Sequence, residues 1–209
     1  MLVIALLAAT GWLVGFSSVL ATERVTVSGT RLLSVDGVRK AAAVPIGLPL
    51  VRQDTTAIAA RVAGLAPVDT VTVDRSWPNT VSIKVAERTP LVAIKTSGGY
   101  QLVDHAGISF ETVSLLPAGV VEVGIAADKV PLLADAGTVV STMPNALRAQ
   151  VASISADAPD SFRVHLDSGL VITWGSADES ALKGQVALLL LKQKPKAIDV
   201  SAPHSPAVR

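Results

Sequence analysis

The stretch VTVDRSWPNTVSIKV, residues 71–85, decides the fold of the first half of the chain. Its two arms alternate apolar and polar residues, which is typical of a strand that buries one face. The apolar positions are Val71, Val73, Val81, Ile83 and Val85. Between the arms, Trp77-Pro78-Asn79 supplies turn-forming residues. The stretch therefore predicts a β-hairpin with one apolar face and one solvated face.

The sequence before the hairpin predicts one strand and two helices. Val25–Gly29 alternates in the same way and ends in glycine, which indicates a strand followed by a turn. Ser34 is a predicted N-cap for a helix over Val35–Ala43. Asp54 is a predicted N-cap for a second helix, whose apolar face is formed by Ile58, Val62 and Leu65. The order strand, helix, helix, strand, strand is typical of a short sheet covered by two helices.

Beyond Pro90 the sequence becomes richer in predicted strands. These strands are Leu91–Lys95, Tyr100–Asp104, Val120–Val123, Phe162–Leu166, Leu170–Trp174 and Ala197–Ser201. Pro144 suits the first turn of a helix that continues through Leu147 to Val151. A longer helix over Asp178–Lys192 is predicted to pack on the sheet through Leu182, Val186, Leu189 and Leu190. The predicted fold class is therefore α+β.

An apolar segment without charge precedes both modules. Residues 1–22 contain no charged side chain, and a helix of about 20 residues spans the hydrocarbon core of a bilayer. A cleaved signal peptide ending near Ala21 is the alternative, but the segment exceeds a signal core of roughly 7–15 residues and lacks a basic flank. We expect an uncleaved transmembrane helix. Gly11 and Gly15 either let a second helix approach closely or reflect the general frequency of glycine in such helices.

The sequence offers little support for catalysis. Cysteine is absent, which removes disulfides, thiolate metal sites and cysteine nucleophiles together. His105, His165 and His204 have no metal-ligand spacing, and no nucleophile elbow, P-loop or dinucleotide fingerprint is found. A net charge of +1 without a basic, aromatic cluster argues against nucleic-acid binding. We therefore expect no catalytic residue, no metal, no cofactor and no small-molecule substrate.

Three motifs, in this order, resemble a known family. Residues 75–90, RSWPNTVSIKVAERTP, are similar to the closing hairpin of the POTRA domain in the FtsQ/DivIB family of cell-division proteins. Residues 102–110, LVDHAGISF, resemble the signature of the β-domain that follows POTRA in that family. Asp104 and Gly107 also have a local reason there, because aspartate caps turns and glycine accepts a positive φ. Ile198-Asp199-Val200 resembles the family's closing strand.

The resemblance implies a domain order, a location and partners. It divides the chain into an anchor over 1–22, a POTRA domain over 23–90, an FtsQ-type β-domain over 91–200 and a tail over 201–209. It implies a non-enzymatic, single-pass scaffold of the division septum in the plasma membrane, with a cytoplasmic N-terminus and an extracytoplasmic body. The implied partners are FtsB/DivIC-like and FtsL-like coiled-coil proteins.

In this family, FtsB adds a strand to the sheet edge near the last strand. By position, the resemblance implies the partner-binding residues Ile198, Asp199, Val200, Ser201, Ala202, Ala207 and Val208. After the closing motif, part of the family has an Arg-Tyr pair, whereas this chain has Ser201-Ala202, followed by Pro203 and Pro206. Proline cannot donate to a strand ladder, so pairing here must be interrupted or shifted. A disordered end without a partner is the alternative for this segment.

Two other functions stay open at this point. A POTRA-bearing transport or chaperone component of an export system would carry repeated POTRA units or a membrane barrel. A secreted hydrolase, released by signal cleavage, would need a catalytic set that the motifs above do not supply.

Overall fold

The computed structural model describes residues 1, 3–4 and 20–208. The chain divides into two compact units, Met1–Arg88 and Thr89–Arg209. Within the described ranges, no helix combines the length and the apolar character needed to cross a bilayer. The anchor predicted over 1–22 falls largely on residues outside those ranges, and Gly11 and Gly15 are among them.

Over residues 20–88, the first unit is a three-stranded sheet with two α-helices. Its elements are β1 (Arg24–Ser28), α1 (Val35–Ala42), α2 (Thr55–Ala63), β2 (Val68–Ser76) and β3 (Thr80–Glu87), with a 3-10 turn at Leu50–Arg52. The sheet order is β1-β3-β2, in which β1 runs parallel and β2 antiparallel to β3. This element order and the β2–β3 hairpin confirm the arrangement of strand, helix, helix, strand and strand predicted from the sequence.

Both predicted helix caps of the first unit are confirmed. The Ser34 hydroxyl accepts a hydrogen bond from the Gly37 N–H at 3.0 Å. The Asp54 carboxylate accepts one from the Ala57 N–H at 2.9 Å. Each bond satisfies one N–H that a helix start leaves without an internal partner.

The core of the first unit lies between the sheet and the two helices. Its buried residues are Val38, Ala42, Leu50, Ile58, Val62, Val68, Val81, Ile83 and Val85. The second arm of the hairpin thus turns its predicted apolar face into the core. Burying such aliphatic side chains is the main favourable term for a unit of this size.

Glu87, at the end of β3, holds the loop that precedes α1. Its carboxylate accepts hydrogen bonds from the N–H groups of Arg31, Leu32 and Leu33 at 2.8–3.1 Å. Burial acts to raise the pKa of Glu87, but these donors and the Arg31 charge outweigh it and leave the pKa below its ordinary value.

The second unit is a mixed sheet with three helices. Its strands are β4 (Val92–Thr96), β5 (Gly99–Val103), β6 (Ser109–Val113), β7 (Val121–Gly124), β8 (Val151–Ser155), β9 (Phe162–Leu166), β10 (Val171–Gly175), β11 (Ile198–Asp199) and β12 (Ala207–Val208). Its helices are α3 (Val130–Thr142), α4 (Asn145–Arg148) and α5 (Ser180–Leu191). The nine strands follow the order β12-β11-β10-β9-β8-β7-β4-β5-β6.

The two faces of this sheet differ. One face packs against the helices and forms the main core, with Phe162 and Trp174 as its largest side chains. The other face carries a smaller cluster around Ala93, Leu102 and Phe110. Val92 and Ala93 are adjacent on β4 yet belong to different clusters, because successive side chains of a strand point to opposite faces.

The predicted signature turn after β5 is confirmed. The Asp104 side chain is fully buried and accepts hydrogen bonds from the N–H groups of Ala106 and Ile108, both at 2.9 Å. Gly107 has a φ of +77°, and a Cβ at this position would lie 2.2 Å from the Val130 carbonyl oxygen. The turn therefore needs Asp104 as a local cap, and it needs glycine at position 107 both for the positive φ and for the close approach of Val130.

Both predicted helices of the second unit are present, but the end predicted for one and the buried face predicted for the other are wrong. The helix after Pro144 ends at Arg148, and Val151 begins β8 instead of continuing that helix. In α5 the buried positions are Ser180, Lys183, Gly184 and Ala187, whereas Leu189 is 61% exposed. Val186 and Leu190 are half-buried at the margin of the core.

A close approach of backbone explains the orientation of α5. A Cβ on Gly184 would lie 2.5 Å from Cδ of Pro144, so the helix contacts the start of α4 through its glycine. Lys183 is only 2% exposed, and its Nζ donates to the Ser176 carbonyl at 2.9 Å. Because of these two contacts, the buried face of α5 runs through Lys183 and Ala187, one position along from the predicted Leu182 and Val186.

Candidate partner-binding edge

The predicted closing strand lies at one end of the nine-stranded sheet. β11 pairs in parallel with β10, through Ile172 with Ile198 and Thr173 with Asp199. β12 then pairs antiparallel with β11, through Ile198 with Val208. The resemblance implied a tail after residue 200, and the structure adds a final strand within it. A two-residue strand directly after Pro206 is too short for an alternation pattern to reveal.

β11 is fixed to the sheet by its apolar side chains and one flanking backbone bond. Ile198 is 1% exposed and Val200 is fully buried, both in the main core. The Val200 N–H donates to the Thr173 carbonyl at 2.9 Å. These two side chains therefore position the edge from inside and are not available for contact with another chain.

A tight turn leads the chain away from β11. The Asp199 carboxylate accepts hydrogen bonds from the Ser201 N–H at 2.9 Å and the Ser201 hydroxyl at 2.7 Å. Ser201 packs directly on Gly175 at the end of β10, where a Cβ would lie 2.8 Å from the Ser201 Cβ. Gly175 also has a φ of +79°, which favours glycine. Any larger side chain at position 175 would collide with Ser201, so this turn requires glycine there.

The loop between β11 and β12 rests on the segment that precedes α5. Pro203 is buried, and the His204 Nε2 lies 3.2 Å from the Glu179 carboxylate in an exposed pair. Burial lowers the pKa of Lys183, and the carboxylates of Asp178 and Glu179 oppose that effect. Lys183 reaches under the same segment to the Ser176 carbonyl. The loop is thus held by packing more than by charge, since exposed ion pairs contribute little.

β12 leaves its outer side open within the described chain. The sheet ends at this strand, and both Ala207 and Val208 are exposed, Val208 by 43%. Pro206 precedes the strand instead of interrupting it. A groove of about 180 Å³ beside the edge is lined by Thr173, Ala197, Ile198, Asp199 and Ala207. Such an edge can accept a further strand, because half of its backbone groups point away from β11.

The seven residues implied as partner-binding therefore play different structural roles. Ala207 and Val208 form the edge itself, and Asp199 and Ser201 form the turn that delivers the chain to it. Ala202 lies exposed in the connecting loop. Sequence reasoning missed Gly175, whose contact with Ser201 joins positions far apart in the chain.

The three histidines occupy unrelated positions. His105 is exposed in the signature turn, His204 pairs with Glu179, and His165 lies 2.9 Å from the Ser155 hydroxyl across β8 and β9. No carboxylate bonds to His165 in the part of the chain that the structure describes. A serine nucleophile needs such a third group to orient its base. No group of three metal-binding side chains occurs among the described residues either.

Comparison with known proteins covers both units. Residues 20–88 match the model of the POTRA domain, FtsQ-type. Residues 92–201 match the model described as Cell division protein FtsQ/DivIB, C-terminal. β12, at residues 207–208, lies beyond this second match.

Curated relatives are similar over most of the chain. A cell division protein FtsQ from Streptomyces collinus is 37% identical over 212 residues, which covers 94% of this chain and 80% of that protein. The protein of the same name from Streptomyces bingchenggensis is 37% identical and covers 94% and 79%. That from Streptomyces griseus is 36% identical and covers 92% and 98%.

Proposed function

This chain belongs to the FtsQ/DivIB family of cell-division proteins, and from that premise we propose that it is a non-enzymatic scaffold of the division septum. Residues 1–22 anchor it in the plasma membrane as a single helix, with the N-terminus cytoplasmic and the body outside. Residues 23–90 form the POTRA domain, residues 91–200 the β-domain and residues 201–209 the closing tail. The family's role in cell division and the uncharged N-terminal segment support this proposal.

The open edge of β12 is the observation that carries the proposed binding role. A strand from an FtsB/DivIC-like partner pairs with Ala207 and Val208 and extends the nine-stranded sheet. Backbone groups on the open side gain partners, and these bonds provide affinity without requiring a particular side chain. An FtsL-like coiled-coil protein joins the assembly through the same partner.

The remaining members of the site position this edge. Ile198 and Val200 hold β11 in the core, while Asp199, Ser201 and Ala202 shape the turn and the loop that lead to β12. The groove beside Ala207 has room for one partner side chain. Within the membrane, Gly11 and Gly15 provide a small-residue face for a partner helix.

A depletion experiment tests the proposed function. Cells that express the chain with a fluorescent protein fused to its N-terminus are depleted of the untagged copy. We expect fluorescence at mid-cell and normal septation, whereas depletion without the fusion gives filaments or failed septa. Diffuse or released fluorescence with normal division would contradict the proposal.

A truncation separates the edge from the rest of the protein. A chain that lacks residues 201–209 keeps the three hydrophobic clusters, because every described member of them lies at or before Val200, and it loses the buried Pro203 of the connecting loop. We expect it to fold and to lose co-purification with the FtsB/DivIC-like partner. Undiminished co-purification would move the interface elsewhere.

A further inference from the structure

Three large apolar side chains are exposed at one end of the first unit. Ile46 is 62% exposed, Trp77 is 52% exposed and Val51 is 44% exposed. They come from three separate segments: the loop after α1, the tip of the β2–β3 hairpin and the 3-10 turn. Single exposed apolar residues are ordinary, but a group of them at one place marks an interaction surface.

Backbone hydrogen bonds bring two of these segments, the loop after α1 and the hairpin tip, to residues 21–24. The Gly47 N–H donates to the Thr22 carbonyl at 2.9 Å, which places Ile46 next to this point. The N–H groups of Glu23 and Arg24 donate to the Asn79 carbonyl at 2.8 and 3.2 Å, which places the tip of the β2–β3 hairpin next to residues 23 and 24.

The 3-10 turn is tied to the same end. Arg75, at the end of β2, donates to the carbonyls of Leu50 and Gln53 at 3.0 and 2.5 Å. Val51 lies between these two residues, and Trp77 follows Arg75 by two positions. Ala21 also forms an isolated bridge with Pro49, just before the turn. Each exposed apolar side chain is therefore one or two residues from a contact with the entering chain or with the hairpin beside it.

Cationic side chains accompany these apolar groups. Arg24 is exposed and lies two positions beyond the uncharged segment of residues 1–22, after Glu23, and no carboxylate lies within ion-pair distance of it among the described residues. Arg52 is exposed beside Val51. The neighbouring acid, Glu23, accepts a hydrogen bond from the Asn79 side chain at 2.5 Å. Arginine next to an apolar surface suits a layer of lipid phosphates above hydrocarbon.

We propose that this end of the POTRA domain rests on the bilayer, with Trp77, Ile46 and Val51 in the interface and Arg24 and Arg52 against lipid phosphates. The inference rests on the proposed anchor over residues 1–22, since that segment brings the bilayer to residues 21–24. Tryptophan favours the boundary between headgroups and acyl chains. The POTRA domain is then held in one orientation at the membrane instead of moving freely on a flexible tether.

The absence of cysteine makes a direct test practical. Single cysteines replace Ile46, Val51, Leu32 or Leu13 in the full chain, and each carries a nitroxide spin label. The labelled chains are reconstituted into vesicles of phosphatidylethanolamine and phosphatidylglycerol. Collision with oxygen and with a water-soluble nickel complex gives the depth of each label.

Leu32 is the matched control. It is 52% exposed, as Trp77 is, but its N–H is bound by Glu87 at the opposite end of β3. The eight residues of β3 separate these ends by about 23 Å. Leu13 reports on the anchor itself, independently of the POTRA domain.

We expect labels at positions 46 and 51 to lie in the lipid interface, about 5–10 Å deep, and the label at position 32 to be in water. Exchange of Trp77 for serine should move both interfacial labels at least halfway toward the accessibility of position 32. A deep label at position 13 with aqueous labels at 46 and 51 would overturn this inference alone and leave the surface to a protein partner. An aqueous label at position 13 would overturn the proposed anchor, and the inference with it.

Discussion

Gly175→Ala is the substitution that probes the closing edge most sharply. Gly175 has a φ of +79°, and an added Cβ would lie 2.8 Å from the Ser201 Cβ and 3.1 Å from the Ser201 Cα. The left-handed conformation costs an L-residue about 1–2 kcal/mol. Forcing Ser201 away from β10 adds about 1–3 kcal/mol, as in other overpacked sites. We therefore expect a loss of about 2–5 kcal/mol in the free energy of unfolding of the second unit.

Gly169→Ala supplies the matched control for backbone strain. Gly169 belongs to the same unit and has a φ of +84°, but nothing lies within 4 Å of its added Cβ. This variant carries the backbone cost of about 1–2 kcal/mol and no crowding. The difference between the two variants measures how tightly the Ser201 turn packs on β10.

Urea unfolding gives the stabilities, and amide hydrogen exchange locates the change. The N–H groups of Val200 and residues 207–208 should exchange faster in Gly175→Ala, because displacement of Ser201 strains the bond from Val200 to Thr173. The same variant should bind the FtsB/DivIC-like partner more weakly, whereas Gly169→Ala should bind it normally. Equal stabilities of the two variants, or unchanged exchange in β11 and β12, would refute the reasoning.

Three further substitutions test the structure elsewhere. Glu87→Gln should lower the stability of the first unit by about 1 kcal/mol at neutral pH. Because the folded pKa of Glu87 is lowered, this contribution exists above the ordinary glutamate pKa and disappears as pH falls through the folded pKa. Urea unfolding curves of the variant and the parent should therefore converge in acid, and a gap that persists there would contradict the role given to the Glu87 carboxylate. Gly184→Ala should destabilise the second unit in thermal unfolding, because the added Cβ would lie 2.5 Å from Pro144, and this clash outweighs the roughly 1 kcal/mol that alanine adds through helix propensity. A stabilised variant would show that the two helices can move apart to accept the methyl group. Asp104→Ala should lower the free energy of unfolding measured in urea by about 2–3 kcal/mol, because two turn N–H groups lose their acceptor. Asp104→Asn keeps one acceptor oxygen and should lower it less, so equal losses for the two variants would argue against the cap.

Local signals in the sequence predicted the features that depend on neighbouring residues. The caps at Ser34 and Asp54, the hairpin over residues 71–85 and the turn at Asp104 each need only a few adjacent positions. Their geometry is set by short-range sterics and hydrogen bonds, so pattern reasoning reaches them.

For helices with few polar positions, the sequence pattern failed to predict either the helix itself or its buried face. α3 was not predicted, because its sequence VPLLADAGTVVST has few polar positions to define a face, and six of its residues are buried. α5 has a similar run, ALLLL, and its orientation depends on the contact of Gly184 with Pro144. In both helices tertiary packing, not periodicity, selects the buried side.

The candidate site was predicted by position but not by mechanism. The closing motif located the edge through resemblance to the family, yet the sequence did not indicate that β11 would be covered by β12 of the same chain. The exposed edge is therefore one strand further along than Ile198-Asp199. Only the pairing of distant segments reveals which backbone groups remain open.

Site-specific photo-crosslinking in dividing cells tests the central claim most directly. A photoreactive amino acid replaces Val208, which is 43% exposed on β12, or Leu115, which is 78% exposed after β6 at the other end of the sheet. If the partner strand pairs with β12, the probe at position 208 should crosslink to an FtsB/DivIC-like protein, and the probe at position 115 should not. Crosslinking from position 115 but not from position 208 would contradict the account.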